Sequence, residues 1–281
     1  MTMIATDAYR PAARPLLANA RMYSISPAVA QAWRQLLEWV LRQAQLPWSV
    51  IDYPAPKPLL DLWARPDLGC ALMCGLPHTL YFERAIPIVA PVVRGARYRE
   101  LPIYFTDIVV RGSSPYETLE DCFGSRVGYT LKESQSGYVA LREHLLPYRQ
   151  RRGSPLFDEA VGPLVNPRGV IDALLQDRID VGPLDSYAHD LIRHVEPELA
   201  GRLRTIATTR AAPIPQFVAT APLEDDLVAR LRADFMRAIE ADELRSVREM
   251  LLLSNFAVPR LEDYRTFHAR AAASDQYPDP W

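Results

Sequence analysis

The sequence predicts an α/β fold of two lobes with a cleft between them, and three observations predict it. Short apolar runs alternate with helix-period segments, the rhythm of a parallel sheet with crossover helices. A longer strand pair interrupts that alternation, which then restarts as if one unit were inserted into another. The Pro213-Ile214-Pro215 break falls where the chain would return to the first unit.

In chain order, Ala20 to Ser24 reads as a first strand. Ser26-Pro27 then opens a helix, with Ser as cap and Pro at the first helical position. Val29, Trp33, Leu36, Leu37, Val40 and Leu41 recur at helical spacing and give that helix one buried face. Ser49 to Asp52 reads as a second strand, Leu59 to Ala64 as a helix, and Cys70 to Met73 as a third strand ending in Cys74-Gly75-Leu76-Pro77. The strand pair spans Ile86 to Val93 and Ile103 to Arg111. In the second unit, helices are expected at Pro115 to Cys122, Ser136 to Leu146, Pro167 to Leu175 and Asp185 to Ile192, with strands at Arg126 to Tyr129 and Ile179 to Gly182. After the segment Leu203 to Ala207 and the proline break come a strand at Gln216 to Thr220 and helices at Leu223 to Ile239, Glu243 to Leu252 and Leu261 to Ala271. The expected lobes are 1–104 with 208–281, and the inserted 105–207.

A length of 281 residues suits two lobes of ordinary size, and 49% hydrophobic residues suffice for a core in each. The formal net charge of −2 gives no electrostatic footprint for nucleic acid or an anionic membrane. Cys70 and Cys74 lie in an apolar run and read as small hydrophobes. Cys122 leaves the count odd, and the five histidines are scattered, so neither a metal nor any other cofactor is expected. Met1 to Arg21 is interrupted by Arg10, Arg14 and prolines and holds no apolar core of signal-peptide length. As the sequence stands the expectation is a cytoplasmic protein, or a periplasmic one if a leader has been removed, with no direct insertion into a membrane.

The most informative stretch runs from Gly128 to Gly137, between a strand and an amphipathic helix. Ser134 and Ser136 stand where the first helical N–H groups lack partners and the helix dipole is positive. Free backbone donors, two hydroxyls and a glycine that admits close approach together suit an anion. A plain serine N-cap is the competing reading.

Three motifs in order resemble the phosphate/phosphonate-type substrate-binding proteins of ABC transporters. Tyr104-Phe105-Thr106-Asp107-Ile108-Val109-Val110-Arg111-Gly112-Ser113-Ser114-Pro115 is similar to that family's hinge strand and following turn. Ser134-Gln135-Ser136-Gly137 stands for its S-T-S-G at a helix start, and Ile179-Asp180-Val181-Gly182-Pro183-Leu184-Asp185 for its D-V-A-x-x-D. The resemblance implies a type 2 periplasmic-binding-protein fold, with two hinge strands, a ligand in the cleft and an ABC permease as partner. It further implies that Ser134, Gln135 and Ser136 hold an oxyanion, that Tyr104 lines the pocket from the hinge, and that Asp185 meets a polar or cationic end. Cys74-Gly75-Leu76-Pro77 sits where the family places a pocket-lining loop. Tyr23, Cys74, Tyr104, Ser134 and Asp185 all fall at strand ends, where ligands of open α/β sheets bind.

The chain also departs from the pattern. Gln135 replaces a threonine, lengthening the reach into the anion site, and Glu133 would repel an anion unless turned away. Asn166-Pro167-Arg168 stands where many members have histidine, so Arg168 is open to reading as an anion donor or as a surface arginine. Asp185 is equally a helix cap, and His189, one helical turn on, is a partner for it or a structural residue.

The expected function is binding of a small anion, phosphonate- or phosphate-like and zwitterionic in the fullest version, without chemistry. The alternative is a cytoplasmic enzyme on the same fold acting on a small carboxylate or phosphorylated metabolite, since a fold does not fix a function. No nucleophile–base pair or cofactor loop is visible to support that alternative.

Overall fold

The computed structural model describes residues 15–279 and Trp281; the reading of Met1 to Arg21 falls largely outside them. Strand β1 (Leu17–Asn19) passes through a 3-10 turn at Arg21–Tyr23 into helix α1 (Pro27–Gln43). Strand β2 (Ser49–Val50), helix α2 (Leu59–Trp63), strand β3 (Leu68–Met73), helix α3 (Gly75–Tyr81) and strand β4 (Ile86–Val93) follow. Strands β5 (Ile103–Tyr104) and β6 (Thr106–Arg111) carry the chain into a second group. There lie strand β7 (Arg126–Gly128), a π-turn at Gln135–Val139 running into helix α4 (Ala140–Arg152), and strand β8 (Glu159–Val161). Helix α5 (Pro167–Leu175), strand β9 (Val181–Asp185), helix α6 (Ser186–Val195), the short α7 (Pro197–Ala200) and strand β10 (Leu203–Thr208) complete it. The chain returns through strands β11 (Ala212–Pro213) and β12 (Gln216–Ala219) to helices α8 (Asp225–Glu240) and α9 (Arg245–Met250), strand β13 (Leu253–Ala257) and helix α10 (Leu261–Asp275).

The strands form two mixed sheets, one ordered β13-β4-β12-β3-β1-β2 and the other β10-β6-β9-β7-β8. Between them β5 and β11 pair antiparallel, Tyr104 opposite Ala212, at the two chain crossings. This is the two-lobed α/β architecture expected, with one difference in the sheets. β12 runs antiparallel to both β3 and β4, and β6 antiparallel to β9 and β10, because each of these strands sits next to a crossing. The apolar face of α1 packs into the first core, where Trp33 and Phe235 of α8 both contact Phe217 of β12, centroids 5.7 and 5.0 Å apart. Val170, Ile171 and Leu174 of α5 fill a smaller core against the second sheet.

Several elements differ from expectation for local reasons. Asn19 ends β1 before Ala20: its Oδ1 accepts from Arg21 N at 2.8 Å and its Nδ2 donates to Ile51 O at 2.8 Å, an Asx turn that forces the 3-10 step. Pro115 to Cys122 is no α-helix. Asp121 Oδ2 accepts from the N–H groups of Glu117 and Thr118 at 3.0 and 2.8 Å, which leaves a single 3-10 turn at Glu120–Cys122. Helix α3 forms although it begins Gly-Leu-Pro, because a proline in the first turn removes only an N–H that lacks a helical partner anyway. Strand β13 occupies residues just past the expected end of the helix before it.

Candidate binding cleft

The carboxyl ends of β3 and β9, the 3-10 turn at Tyr23 and the loop after β7 converge on a small cavity of about 80 Å3. A water takes roughly 30 Å3 of the liquid, so this volume fits one tetrahedral oxyanion head. Its polar wall includes Tyr23, Cys74, Thr130, Ser134, Ser136 and Asp185; Met22, Leu59, Trp63, Pro77 and Leu131 supply apolar surface. It opens into a groove of about 700 Å3, with which it shares Met22, Leu59, Leu131, Glu133 and the segment 165–167.

The loop is built around close backbone packing. Ser134 caps the helix, its Oγ accepting from Gly137 N at 3.0 Å, which leaves its own hydroxyl hydrogen available. Thr130 N donates to Gly137 O at 3.1 Å, and Thr106 Oγ1 of β6 donates to Ser136 O at 2.9 Å. A Cβ on Gly137 would lie 1.8 Å from Thr130 Oγ1, so only glycine lets the two segments approach this closely. Thr130 lines the cavity, but its Oγ1 is buried against Gly137 with no hydrogen-bond partner.

Asp185 closes β9 and caps α6. Its Oδ1 accepts from the N–H groups of Tyr187 and Ala188 at 2.9 and 3.1 Å, while its Oδ2 accepts from Tyr23 OH at 3.2 Å and Ser136 Oγ at 3.4 Å. Full burial pushes its carboxyl up to about 7, against the pull of those four donors toward the ionised form. The Cys74 thiol is likewise raised by burial, to about 11, and stays protonated. Burial also holds the phenols of Tyr23 and Tyr104 well above their ordinary value, so both remain neutral donors.

Five of the eight residues singled out in the sequence, Tyr23, Cys74, Ser134, Ser136 and Asp185, thus line one cavity. Tyr104 and Gln135 are buried but are not among its lining residues. Gln135 therefore does not lengthen the reach into the cavity, because it lies fully buried in the opening turn of the helix. Arg168 lines the outer groove, but Glu196 takes its guanidinium, Nη1 to Oε2 at 2.8 Å, and a further bond goes to Ile25 O at 2.9 Å. It is a committed ion pair rather than a free anion donor. Glu133, expected to turn away, lines the rim where cavity and groove meet. The His189 side chain is committed elsewhere: its Nδ1 pairs with buried Asp107 at 2.9 Å. Thr130 is a polar lining residue that sequence reasoning missed, as it missed the apolar Met22, Leu59 and Trp63. Its only signal is its place between β7 and the serine turn.

A two-lobed α/β protein with a polar cleft at strand ends and a hydroxyl-lined helix start defines the class of the solute-binding proteins. Residues 25–264 match the family described as ABC transporter, phosphonate, periplasmic substrate-binding protein, and the chain belongs to that family. The fold is similar to that of a binding protein component of an ABC phosphonate transporter from Pseudomonas aeruginosa, at 17% identity and a TM-score of 0.76 over 92% of this chain and 87% of the other. It is also similar to PhnD1 of Prochlorococcus marinus, solved in complex with methylphosphonate, at 14% identity and a TM-score of 0.73 over 93% and 98%. No curated protein matches the chain in sequence. Among the described residues no helix is long and apolar enough to cross a membrane.

Proposed function

We propose that this substrate-binding protein captures a small phosphonate-like oxyanion in the inner cavity and presents it, in the periplasm, to an ABC permease. The lobes in this reading are residues 1–104 with 208–281, and 105–207. The head group sits against Ser134, Ser136 and Thr130 at the start of the α4 helix, with Tyr23 and Cys74 across from them; Tyr104 and Gln135 back the wall. The carrying observation is that Ser134 and Ser136, with Thr130 beside them, line a head-sized cavity at a positive helix end.

Asp185 argues that the ligand has a second polar group. A bare oxyanion surrounded by donors gains nothing from a carboxylate, whereas an aminoalkyl phosphonate would place its ammonium there. Replacing Ser134 and Ser136 together with Ala should weaken methylphosphonate at least tenfold in calorimetric titration and abolish its thermal stabilisation. An unchanged affinity in the double variant places the anion elsewhere.

A further inference from the structure

The inner cavity accounts for a head group only; the groove of about 700 Å3 outside it is of the size that holds drug-like ligands. Its charges are unevenly committed. Arg34 is paired with Asp52 at 2.6 Å and Arg168 with Glu196, but among the described residues neither Arg21 nor Lys57 forms a salt bridge. Both cations instead rest on the ring of Tyr53, 5.4 and 5.5 Å from its centroid, and Arg21 donates to the Lys57 carbonyl. The lining also includes the Ser26-capped start of α1, a 17-residue helix whose positive end borders the same groove.

We propose that this groove is a second subsite, and that the ligand is an organophosphonate with an extended apolar body ending in a second acidic group. The proposal rests on the head-group reading above and deepens it. The phosphonate occupies the inner cavity, the body passes over the apolar surface of Met22 and Leu59 that both spaces share, and the distal acid meets Arg21 and Lys57. Two cations held without a carboxylate beside an aromatic face form an arrangement that an anion completes, and a planar guanidinium pairs with a carboxylate through two parallel bonds. A methyl-sized ligand would leave this surface unused.

The test titrates wild type, Lys57→Gln and Arg21→Gln/Lys57→Gln with methylphosphonate, hexylphosphonate and 6-phosphonohexanoate, with circular dichroism to check folding. In wild type, hexylphosphonate should bind at least tenfold more tightly than methylphosphonate, and the added carboxylate should gain a further three- to tenfold. Lys57→Gln, an exposed change, should lose part of the carboxylate gain and the double variant all of it, with methylphosphonate affinity unchanged in both. Equal affinity for the three probes, or methylphosphonate the tightest, overturns the second subsite while leaving the head-group reading intact. Failure of all three probes to bind overturns both.

Discussion

At the scale of single residues, Asp185 carries the sharpest consequence, because its protonation decides what the cleft attracts. Its carboxyl titrates near 7 in the fold and near its ordinary 3.8 when unfolded, so the native state holds the extra proton between those values. Stability from this group is therefore complete below about pH 4 and is lost as pH rises through 7, three units amounting to about 4 kcal/mol in all. Asp185→Asn keeps a capping side chain on α6 and removes the titration. The ligand-free variant should become more stable relative to wild type as pH rises from about 4 to 7, as read by urea denaturation at each pH. Ligand affinity should follow the same proton with opposite signs. Relative to the variant, wild type should lose methylphosphonate affinity above pH 7 and gain 2-aminoethylphosphonate affinity. A difference between the two proteins that does not vary with pH would make Asp185 a helix cap alone.

At the scale of elements, the anion turn depends on one glycine more than on either serine. Because a Cβ at Gly137 meets the Thr130 hydroxyl at 1.8 Å, Gly137→Ala must push the β7 loop and the helix start apart. The expected result is a loss of about 1–3 kcal/mol of stability, the usual cost of overpacking, and at least a tenfold loss of methylphosphonate affinity. Gly137→Ala/Thr130→Ala removes the hydroxyl and methyl that the new Cβ meets and should recover part of the stability. If Gly137→Ala binds as wild type does, the close approach is not what shapes the site. The serines were legible in the sequence because they follow a strand and precede a helical period, and Asp185 because it ends an apolar run. Thr130 was not, since its role comes from contact with Gly137 seven residues away. Arg168 stayed open in the sequence for the same kind of reason: its partner Glu196 lies 28 residues further on, and no local pattern marks the pair. Elements with a full period, such as α1, α5 and α8, were read nearly to their ends. Two- and three-residue strands such as β8 and β11 are fixed by their neighbours, and the helix expected at Pro115 lost to the Asp121 turn.

At the scale of the whole molecule, two features tie the lobes together besides the β5 and β11 crossings. One is a buried polar cluster behind the cleft. Arg97, from the turn after β4, donates to Asp107 of β6 at 3.0 Å and to the Ser186 carbonyl at 3.0 Å, and Tyr98 donates to Asp190 at 2.6 Å. Such a network favours one lobe arrangement, since moving either lobe strands buried charge.

The other is a strap made by the end of α10 and the residues after it. Within the first lobe α10 is fixed by Tyr264 OH to Ile214 O at 2.8 Å and by His268 to Thr79 O at 2.8 Å. At its last residue Asp275 pairs with Arg142 of α4 at 2.7 Å; beyond it Asp279 pairs with Lys132 at 3.1 Å and Tyr138 OH at 3.2 Å, and Trp281 buries its ring against Tyr138 and Tyr129. The strap thereby grips the turn that carries Ser134 and Ser136 from outside the cleft. Trp281→Ala should cost about 3–5 kcal/mol, as loss of a buried aromatic does, and lower Tm by roughly 10 °C. It should also weaken methylphosphonate several-fold, because the turn loses the packing that holds its donors in place. Phe235→Ala, an equally buried aromatic on the far side of the first sheet, supplies the comparison: a similar fall in Tm with affinity kept. Equal affinity in both variants would reduce the strap to a stabilising contact. A loss confined to Trp281→Ala would show that the binding turn is held in shape by a segment from the opposite lobe.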